Sequence, residues 1–562
     1  MTDAKEMTML RLAVSISLAM MIPARSAHAA ATSPGGARVV PQDSEARKNP
    51  NSAAAGGDEV PERVTKEHWA YAGVAELQER YGAGKALHPE ACSKIELVEA
   101  FIDALGKVAE EFKRRGAANI RRDDMDSIRS LIVALEDELF GRDAYLTLRI
   151  SIERLLALVE PPVPVYRYKL GVDGFARAEG ARSFRMRDLS YSPGHDEGGG
   201  TYRVKPFAYW HPNDRWDVHA EGQAYGFARG GEDHAGKASL YQGFAEFRIP
   251  NGDLPGVNWA ALKAGRQEFI YGSGFILGSD TFFDGLSFDA ARLRVQPRSN
   301  ITLDLLSGQY ATPFSGGIKG NLSGAYLTYH PADDSSIEGY FLRDRGAEER
   351  QAGERLDNLG IRINSAIGIF EAEYEAVLQR GKAFNADTGE LDGIRAAGGH
   401  VDLTGQFRLF GRDNAIFMGV AAGTGDAADA NKEFRNPNND SSLMGDMHVV
   451  GDLSGIDVGD HHASGMQIYT LGWGIDLSRK LNLTATGRKF AATSVEDGFS
   501  RQIGLETDVT LTYSPNKDYT VIAGYDHFFP GKFFSDSSGS RKDVDYVFAM
   551  LVFNYDWTRR KR

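Results

Sequence analysis

The end of the chain, residues 546–557, alternates strictly between apolar and other side chains. One face of this extended segment carries Val547, Ala549, Leu551, Phe553, Tyr555 and Trp557. A strand that crosses a bilayer needs an apolar face toward lipid, a polar face toward the interior and an aromatic side chain at the interface. The segment is therefore typical of a transmembrane β-strand. Because such a strand leaves unpaired backbone groups in hydrocarbon, it constrains the whole chain to close a barrel.

The same alternation recurs throughout the C-terminal two-thirds of the chain. It predicts eighteen strands, at residues 166–178, 200–210, 215–228, 239–250, 259–269, 286–295, 300–310, 321–330, 335–344, 356–364, 367–379, 397–409, 414–424, 464–477, 480–492, 501–514, 518–528 and 544–557. Each is long enough to cross at a tilt, which needs about 9–11 residues. The sequence thus predicts an all-β transmembrane barrel over residues 165–557.

The connections between these strands alternate in length. Short ones, such as 211–214 and 331–334, hold turn-forming residues. The long polar ones are 179–199, 229–238, 270–285, 345–355, 380–396, 425–463 and 529–543. This arrangement predicts a bacterial outer-membrane barrel with both termini in the periplasm and a basic tail at 558–562.

The first 29 residues have the features of an export signal. Lys5 and Arg11 precede an apolar run, and Ala27-His28-Ala29 gives a small-x-small cleavage pattern. No other window offers about 20 continuous apolar residues. Residues 30–60, rich in Ala, Gly, Ser and Pro, predict a flexible linker. The formal charge of −13 argues against a nucleic-acid partner, and a single cysteine excludes an internal disulfide framework.

Residues 61–164 have helical periodicity, with a capping-box pattern at Ser93-Lys94-Ile95-Glu96. The order of His68-Trp69-Ala70-Tyr71, a helix, a loop and this second helix resembles an S-layer homology (SLH) module at 61–112. The resemblance implies that His68, Trp69 and Tyr71 bind peptidoglycan or another cell-wall polymer. Residues 113–164 predict a helical or coiled-coil spacer. The alternative is a plain periplasmic helical bundle in which Trp69 and Tyr71 are core residues.

Alternation also assigns charged side chains to the barrel interior. If Phe370, Ala372 and Tyr374 face lipid, the glutamates at 371, 373 and 375 point inward. The opposite assignment would place three carboxylates in hydrocarbon. The same reasoning applied to the other strands gives the predicted pore-lining set Arg292, Arg294, Arg362, Glu371, Glu373, Glu375, Asp402, Arg408, Glu506 and Asp508.

Two separated motifs resemble those of the alginate-export porins. A Gly-Arg-Gln strand at 262–272 precedes a Phe-Asp-Ala-Ala-Arg strand at 288–294, and Phe-Phe-Pro-Gly at 528–531 is followed by an acidic pair before the last strand. The resemblance implies an eighteen-stranded pore lined by arginines, and adds Arg266 to Arg292 and Arg294 as lining residues. The alternative is that these arginines form structural ion pairs with the glutamates at 371, 373 and 375.

The connection 425–463 is the other concentration of potential ligands, with Asp446, His448, Asp452, Asp457, Asp460, His461 and His462. It could fold into the pore as a plug, but its spacing matches no defined metal motif. No metal or other cofactor is therefore expected. No nucleophile motif is present, and His219 has no evident serine partner, so an enzyme is not expected.

Together these features predict an outer-membrane channel for anionic or polar solutes. An anionic polysaccharide is one such solute, and the N-terminal region would anchor the channel to the cell wall. The alternative function is a structural tether between outer membrane and peptidoglycan with little transport. The expected partners are outer-membrane lipid, the cell-wall polymer, the transported solute and the barrel-assembly machinery.

Overall fold

The computed structural model describes most of residues 60–558. Within that range it leaves out residues 83–86, 89, 116–121, 140–166, 186–189, 214, 230–236, 250–252, 279–284, 312–319, 333–334, 346–353, 385–390, 410, 427–431, 437, 439–452, 454–461, 479 and 517. The predicted signal peptide, nearly all of the linker, much of the spacer and residues 559–562 lie outside the described residues.

A small helical unit precedes the barrel. Strand β1 (Arg63–Thr65) pairs antiparallel with β2 (Ala91–Ser93), and the helices are α1 (Trp69–Tyr81), α2 (Lys94–Arg115), α3 (Arg122–Ala134) and α4 (Glu136–Leu139). Its apolar core is formed by buried side chains at helical spacing, among them Val74, Leu77, Leu97, Phe101, Leu105, Ile128 and Leu131. No helix in the described ranges is long and apolar enough to cross a membrane.

The start of α2 has the capping box that the sequence predicts. The Ser93 hydroxyl accepts from the Glu96 backbone N–H at 3.2 Å, and the Glu96 carboxylate accepts from the Ser93 N–H at 2.8 Å. These reciprocal bonds satisfy two amide groups that a helix N-terminus leaves unpaired. Nearby Cys92 is buried in the same core, and burial together with the charge of Glu96 raises the pKa of its thiol.

The rest of the chain forms a closed antiparallel barrel of eighteen strands, as predicted. They are β3 (Tyr168–Arg185), β4 (Ser190–Asn213), β5 (Trp216–Arg229), β6 (Lys237–Ile249), β7 (Trp259–Gln267), β8 (Phe288–Arg298), β9 (Ile301–Tyr310), β10 (Asn321–Ala332), β11 (Ser335–Arg345), β12 (Arg355–Ile367), β13 (Phe370–Phe384), β14 (Leu391–Leu409), β15 (Arg412–Gly423), β16 (Ala463–Ser478), β17 (Leu481–Val495), β18 (Gln502–Tyr513), β19 (Tyr519–Pro530) and β20 (Val544–Thr558). Each strand pairs with its neighbours in sequence, and β20 closes the ring on β3, with Phe553 opposite Gly174.

The outward face is apolar along the middle of the strands, and the inward face carries charged side chains together with a buried apolar cluster that includes Leu306, Tyr340 and Phe528. Large apolar side chains at alternate positions are exposed, for example Leu293, Leu359 (58%) and Leu378. In β20 the predicted outward residues Val547, Leu551, Tyr555 and Trp557 are exposed, whereas Tyr546 and Phe548 between them are buried. Strand alternation thus separates a lipid-type surface from an interior.

Two predicted long connections are shorter than expected. Pairing continues along β3 to Arg185 and resumes in β4 at Ser190, so most of residues 179–199 is strand. In the same way β13 extends to Phe384 and β14 begins at Leu391, both within the predicted connection 380–396. These extensions carry polar and glycine residues on both faces, such as Gly198-Gly199-Gly200. Sequence alternation could not reveal them, because backbone pairing with an existing neighbour, rather than side-chain pattern, extends the ladder.

Candidate functional site

The connection after β7 folds into the barrel. Phe275 and Leu277 are buried. The Tyr271 hydroxyl donates to inward-facing Asp304 at 2.9 Å, and the Ser273 hydroxyl lies 3.4 Å from Nε2 of inward-facing His400. Residues 269–278, here called the inward loop, therefore narrow the lumen.

The inward loop fits tightly against the wall at Gly272. This residue has a φ of +60°, and a Cβ there would lie 2.8 Å from Cδ of Arg362. Glycine provides both the left-handed backbone and the space for this approach.

A second segment, 432–438, joins the inward loop. The Asn436 amide donates to the Phe275 carbonyl at 3.2 Å, and the Gly278 N–H donates to the Asn438 carbonyl at 2.7 Å. The Asn438 amide also donates to inward-facing Asp344 at 3.0 Å. Part of the connection 425–463 thus lies inside the barrel, which is the position that a plug would take. Of its potential ligands only His462 is described, and it contacts Glu496 at 2.7 Å.

Bidentate ion pairs line the wall beneath these segments. Arg294 binds Asp304 through Nε and Nη2, both at 2.7 Å. Arg362 binds Glu373 through the same two nitrogens, at 3.0 and 2.6 Å, and reaches Glu338 through Nη1 at 2.7 Å. Planar guanidinium–carboxylate pairs of this kind fix both side chains in one geometry.

His400 lies at the centre of a carboxylate cluster. Its Nδ1 is 2.5 Å from Asp402, and its Nε2 is 3.6 Å from oxygens of both Glu373 and Glu375. The cluster has the spacing of a possible cation site, because one potential ligand atom from each of Glu373, Glu375 and His400 lies within 4.8 Å of the other two. Both oxygens of Glu373 already accept from Arg362, so this carboxylate is engaged in an ion pair.

The structure brings some of the predicted lining residues together and leaves others apart. Arg292, Arg294, Arg362, Glu373, Glu375 and Asp402 occupy inward positions on β8 and β12–β14 around the inward loop. Glu371 is inward and exposed, two residues from Glu373. Arg292 pairs with Glu246 and Arg294 with Asp304, so these arginines do form ion pairs, but not with the glutamates at 371, 373 and 375 that the ion-pair alternative named. Glu373 pairs with Arg362 instead.

The remaining lining residues lie elsewhere. Glu506 and Asp508 are buried on β18, where both contact Arg488 of β17. Arg408 lies at the short-turn end of β14, 70% exposed and 3.8 Å from Asp413.

Arg266 differs from its predicted position. It is opposite Asp289 in the register that also pairs outward-facing Leu262 with Leu293, so it faces outward. Its guanidinium holds Asp289 at 2.8 and 2.9 Å. The motif explains this arrangement: Gly265 has a φ of +123°, and any Cβ there would clash with the Gly243 carbonyl. The glycine of the Gly-Arg-Gln motif therefore allows close packing between β6 and β7. Strand alternation alone puts Arg266 on the outward face, the face that also carries Leu262.

A second inward cluster was missed by sequence reasoning. His219 is buried between the rings of Tyr209 and Phe244, with centroids 4.0 and 5.0 Å away, and lies 3.5 Å from Glu221. Lys205 is 3.3 Å from the same glutamate. The signal that could have found it is the alternation of polar residues at 217, 219 and 221.

The predicted cell-wall-binding residues, at 68, 69 and 71, contact other parts of the helical unit. The His68 ring accepts from the Ala70 N–H at 3.2 Å and so caps α1. Trp69 and Tyr71 pack partly buried against the helical core, and the Tyr71 hydroxyl donates to the His88 carbonyl at 2.9 Å.

A known family model matches part of the barrel. The alginate export family model matches residues 170–445, which run from β3 to β15; the second motif, at 528–547, lies beyond the match. No similar sequence was found among curated proteins.

Solved structures with the same architecture include three from Pseudomonas aeruginosa. OccK11 (OpdR) has 15% identity and a TM-score of 0.45, covering 69% of this chain and 96% of its own. OprD has 12% identity and a TM-score of 0.45, covering 70% and 95%, and OpdQ has 12% identity and a TM-score of 0.48, covering 69% and 98%. Since these scores are below 0.5, the barrel assignment rests on the strand pairing of the chain itself. Residues 170–445 match the alginate export family, and the chain forms a closed eighteen-stranded β-barrel of the outer-membrane type.

Proposed function

We propose that the barrel is a channel for polar and anionic solutes across the outer membrane. The supporting observation is that charged side chains at inward positions are accessible to solvent within a closed barrel. Asp402 is 51% exposed, Arg294 is 34% exposed and Glu371 is exposed. A hydrated lumen of mixed charge is what a polar solute needs to exchange its own water shell for side-chain contacts.

The inward loop gives this channel a constriction. Arg292 and Arg294 lie on the β8 side of it, and the carboxylates of Glu371, Glu373 and Asp402 lie on the β13–β14 side. Carboxylate groups of a solute would pass along the arginines and its hydroxyl groups along the acidic side. Because Arg294 is held by Asp304, its donors are fixed in position but partly neutralised. The site therefore favours weak, sequential contacts over tight binding.

The family match favours an anionic polysaccharide as one cargo, with small polar solutes as the other. We propose as a second role that the helical unit tethers the barrel to peptidoglycan, with both termini in the periplasm. This proposal rests on the resemblance of residues 61–112 to an SLH module. Insertion through the barrel-assembly machinery would use the aromatic end of β20, where Trp557 is exposed beside Tyr555.

Single-channel recording of the full-length protein in planar bilayers tests the channel. We expect steady conductance, a shift toward cation preference in Arg294→Gln and a shift toward anion preference in Glu371→Gln, since each removes one lumenal charge. Arg408→Gln, at the rim, is the matched control and should shift selectivity least. A closed barrel that passes no current would contradict the proposal. So would a change in ion selectivity in Arg408→Gln as large as those in the other two variants.

The same recordings separate the two cargoes. An acidic oligosaccharide of uronate units should block the current in a concentration-dependent way, whereas a neutral oligosaccharide of equal length should block less. Equal block by both would argue against an anionic polysaccharide.

A further inference from the structure

Six cationic side chains occupy outward positions at one end of the barrel wall. They lie on four adjacent strands, β11 to β14, and are Arg343, Arg345, Arg355, Arg380, Lys382 and Arg395. We call them the basic belt. All six point to the same side of the wall as the exposed apolar residues Phe341, Leu359 and Leu378.

The strand register arranges these residues in two rows. In the first, Ser323 is opposite Arg343, Arg343 opposite Asp357, Asp357 opposite Arg380, and Arg380 opposite Arg395. In the second, two residues further along, Asn321 is opposite Arg345 and Arg355 is opposite Lys382. Opposed residues on paired strands have Cα atoms about 4.5–5.5 Å apart, so the cations are immediate neighbours.

The rows begin directly at the edge of the apolar surface. The next row toward the membrane centre is Phe341, Leu359, Leu378 and Ala397, again in register. Two residues along a strand cover about 6.6 Å. The basic belt therefore lies at the depth of the lipid headgroups, at the end of the barrel that carries the long connections.

Charge within the belt is unbalanced among the residues that the structure describes. Asp357 is its one carboxylate, and it pairs with Arg343 at 2.7 Å and Arg355 at 3.2 Å. Arg345, Arg380 and Arg395 are exposed. Six guanidinium or ammonium groups around one carboxylate repel one another, and an anionic ligand would relieve that repulsion.

A polar cleft of about 410 Å³ adjoins the belt on its β9–β11 side. Its lining includes Ser307, Gln309, Asn321 and Ser323 beside Arg343 and Arg345. Hydroxyl and amide groups next to arginines suit a ligand that combines sugar hydroxyls with phosphate.

We propose that the basic belt binds the phosphorylated sugar headgroup of an outer-leaflet glycolipid whose acyl chains lie on the adjacent apolar rows. The strands β10 to β14 span roughly 19 Å, at about 4.8 Å between strands. That width fits a disaccharide bearing two phosphates better than a single glycerophospholipid headgroup. The inference rests on the proposed orientation, with the long connections outside the cell.

Native mass spectrometry of the full-length protein in detergent tests the proposal, with diphosphoryl lipid A as the probe. Wild-type protein should retain it, and Arg343→Gln/Arg380→Gln/Arg395→Gln should retain at least tenfold less. The control, Arg215→Gln/Arg298→Gln/Arg412→Gln, removes the same charge at the short-turn end and should retain as much as wild type. Heat-modifiable gel mobility checks barrel closure in each variant.

Equal retention by the two triple variants would overturn the proposal, and so would wild-type protein that retains no lipid A. Preferential retention of phosphatidylglycerol over lipid A would overturn the assignment to a glycolipid. Unchanged single-channel conductance in the belt variant, together with lost lipid retention, would support the belt independently of the channel proposal, because the belt lies on the opposite face of the wall from the lumen.

Discussion

Arg362 is the residue on which the constriction depends most. It is buried, and its three guanidinium nitrogens donate to Glu338 and Glu373 while the inward loop packs against its side chain at Gly272. Two carboxylates held around one guanidinium in a buried site are stable only while that cation is present. Removal of one partner of a buried pair leaves uncompensated charge.

We therefore expect Arg362→Met to lower the free energy of unfolding by about 3–5 kcal/mol. Arg408→Met should cost at most about 1 kcal/mol, because Arg408 is 70% exposed and its contact with Asp413 is long. Denaturant unfolding followed by heat-modifiable mobility compares the two variants. Similar midpoints would mean that the Arg362 network contributes little to stability.

At the scale of elements, the inward loop is held to the wall by specific contacts rather than by its own secondary structure. Tyr271 stacks on Tyr326 with ring centroids 4.4 Å apart, and Phe275 lies 4.7 Å from the His400 ring. The strands beneath it are joined by their own ladders. The loop can therefore be removed without opening the barrel wall.

Deletion of residues 270–277, with a short glycine linker in their place, should raise single-channel conductance several-fold, because the lumen would lose the side chains that reach from this loop to β9 and β14. Replacement of the exposed residues 253–256, in the connection between β6 and β7, by glycines is the control and should leave conductance unchanged. If the loop deletion conducts like wild type while the barrel remains closed on gels, the loop does not form the constriction.

At the scale of the whole molecule, the helical unit and the barrel have separate cores. The apolar cluster around Leu97 and Phe101 shares no residue with the cluster inside the barrel. Since each part buries its own apolar surface, a role in cell-wall attachment can be separated from transport.

Deletion of residues 61–139 should abolish co-sedimentation with purified sacculi and leave conductance intact. Trp69→Ala/Tyr71→Ala tests the predicted binding residues. Maleimide labelling of Cys92 is the folding control for this double variant. Burial raises the pKa of the Cys92 thiol, so the reactive thiolate is disfavoured at pH 7. Maleimide should therefore label Cys92 only when the helical unit unfolds. Undiminished co-sedimentation by the deletion variant would contradict the tether.

Side-chain alternation is sufficient to predict the barrel. Alternation over each strand predicts the strand number, the outward residues of β20 and the inward charges at 371–375, because lipid and water impose opposite demands on successive side chains. Local signals also determined the capping box at Ser93 and Glu96, since its partners are three residues apart.

Which charged side chains contact one another depends on the tertiary structure. Arg294 and Asp304, or His400 and Ser273, are joined by register between strands and by a connection that folds inward, and neither leaves a local pattern. The extended ends of β3 and β4 and the outward position of Arg266 likewise follow from backbone pairing with a neighbouring strand. Side-chain period is a property of one segment, whereas register and loop placement are properties of the closed wall.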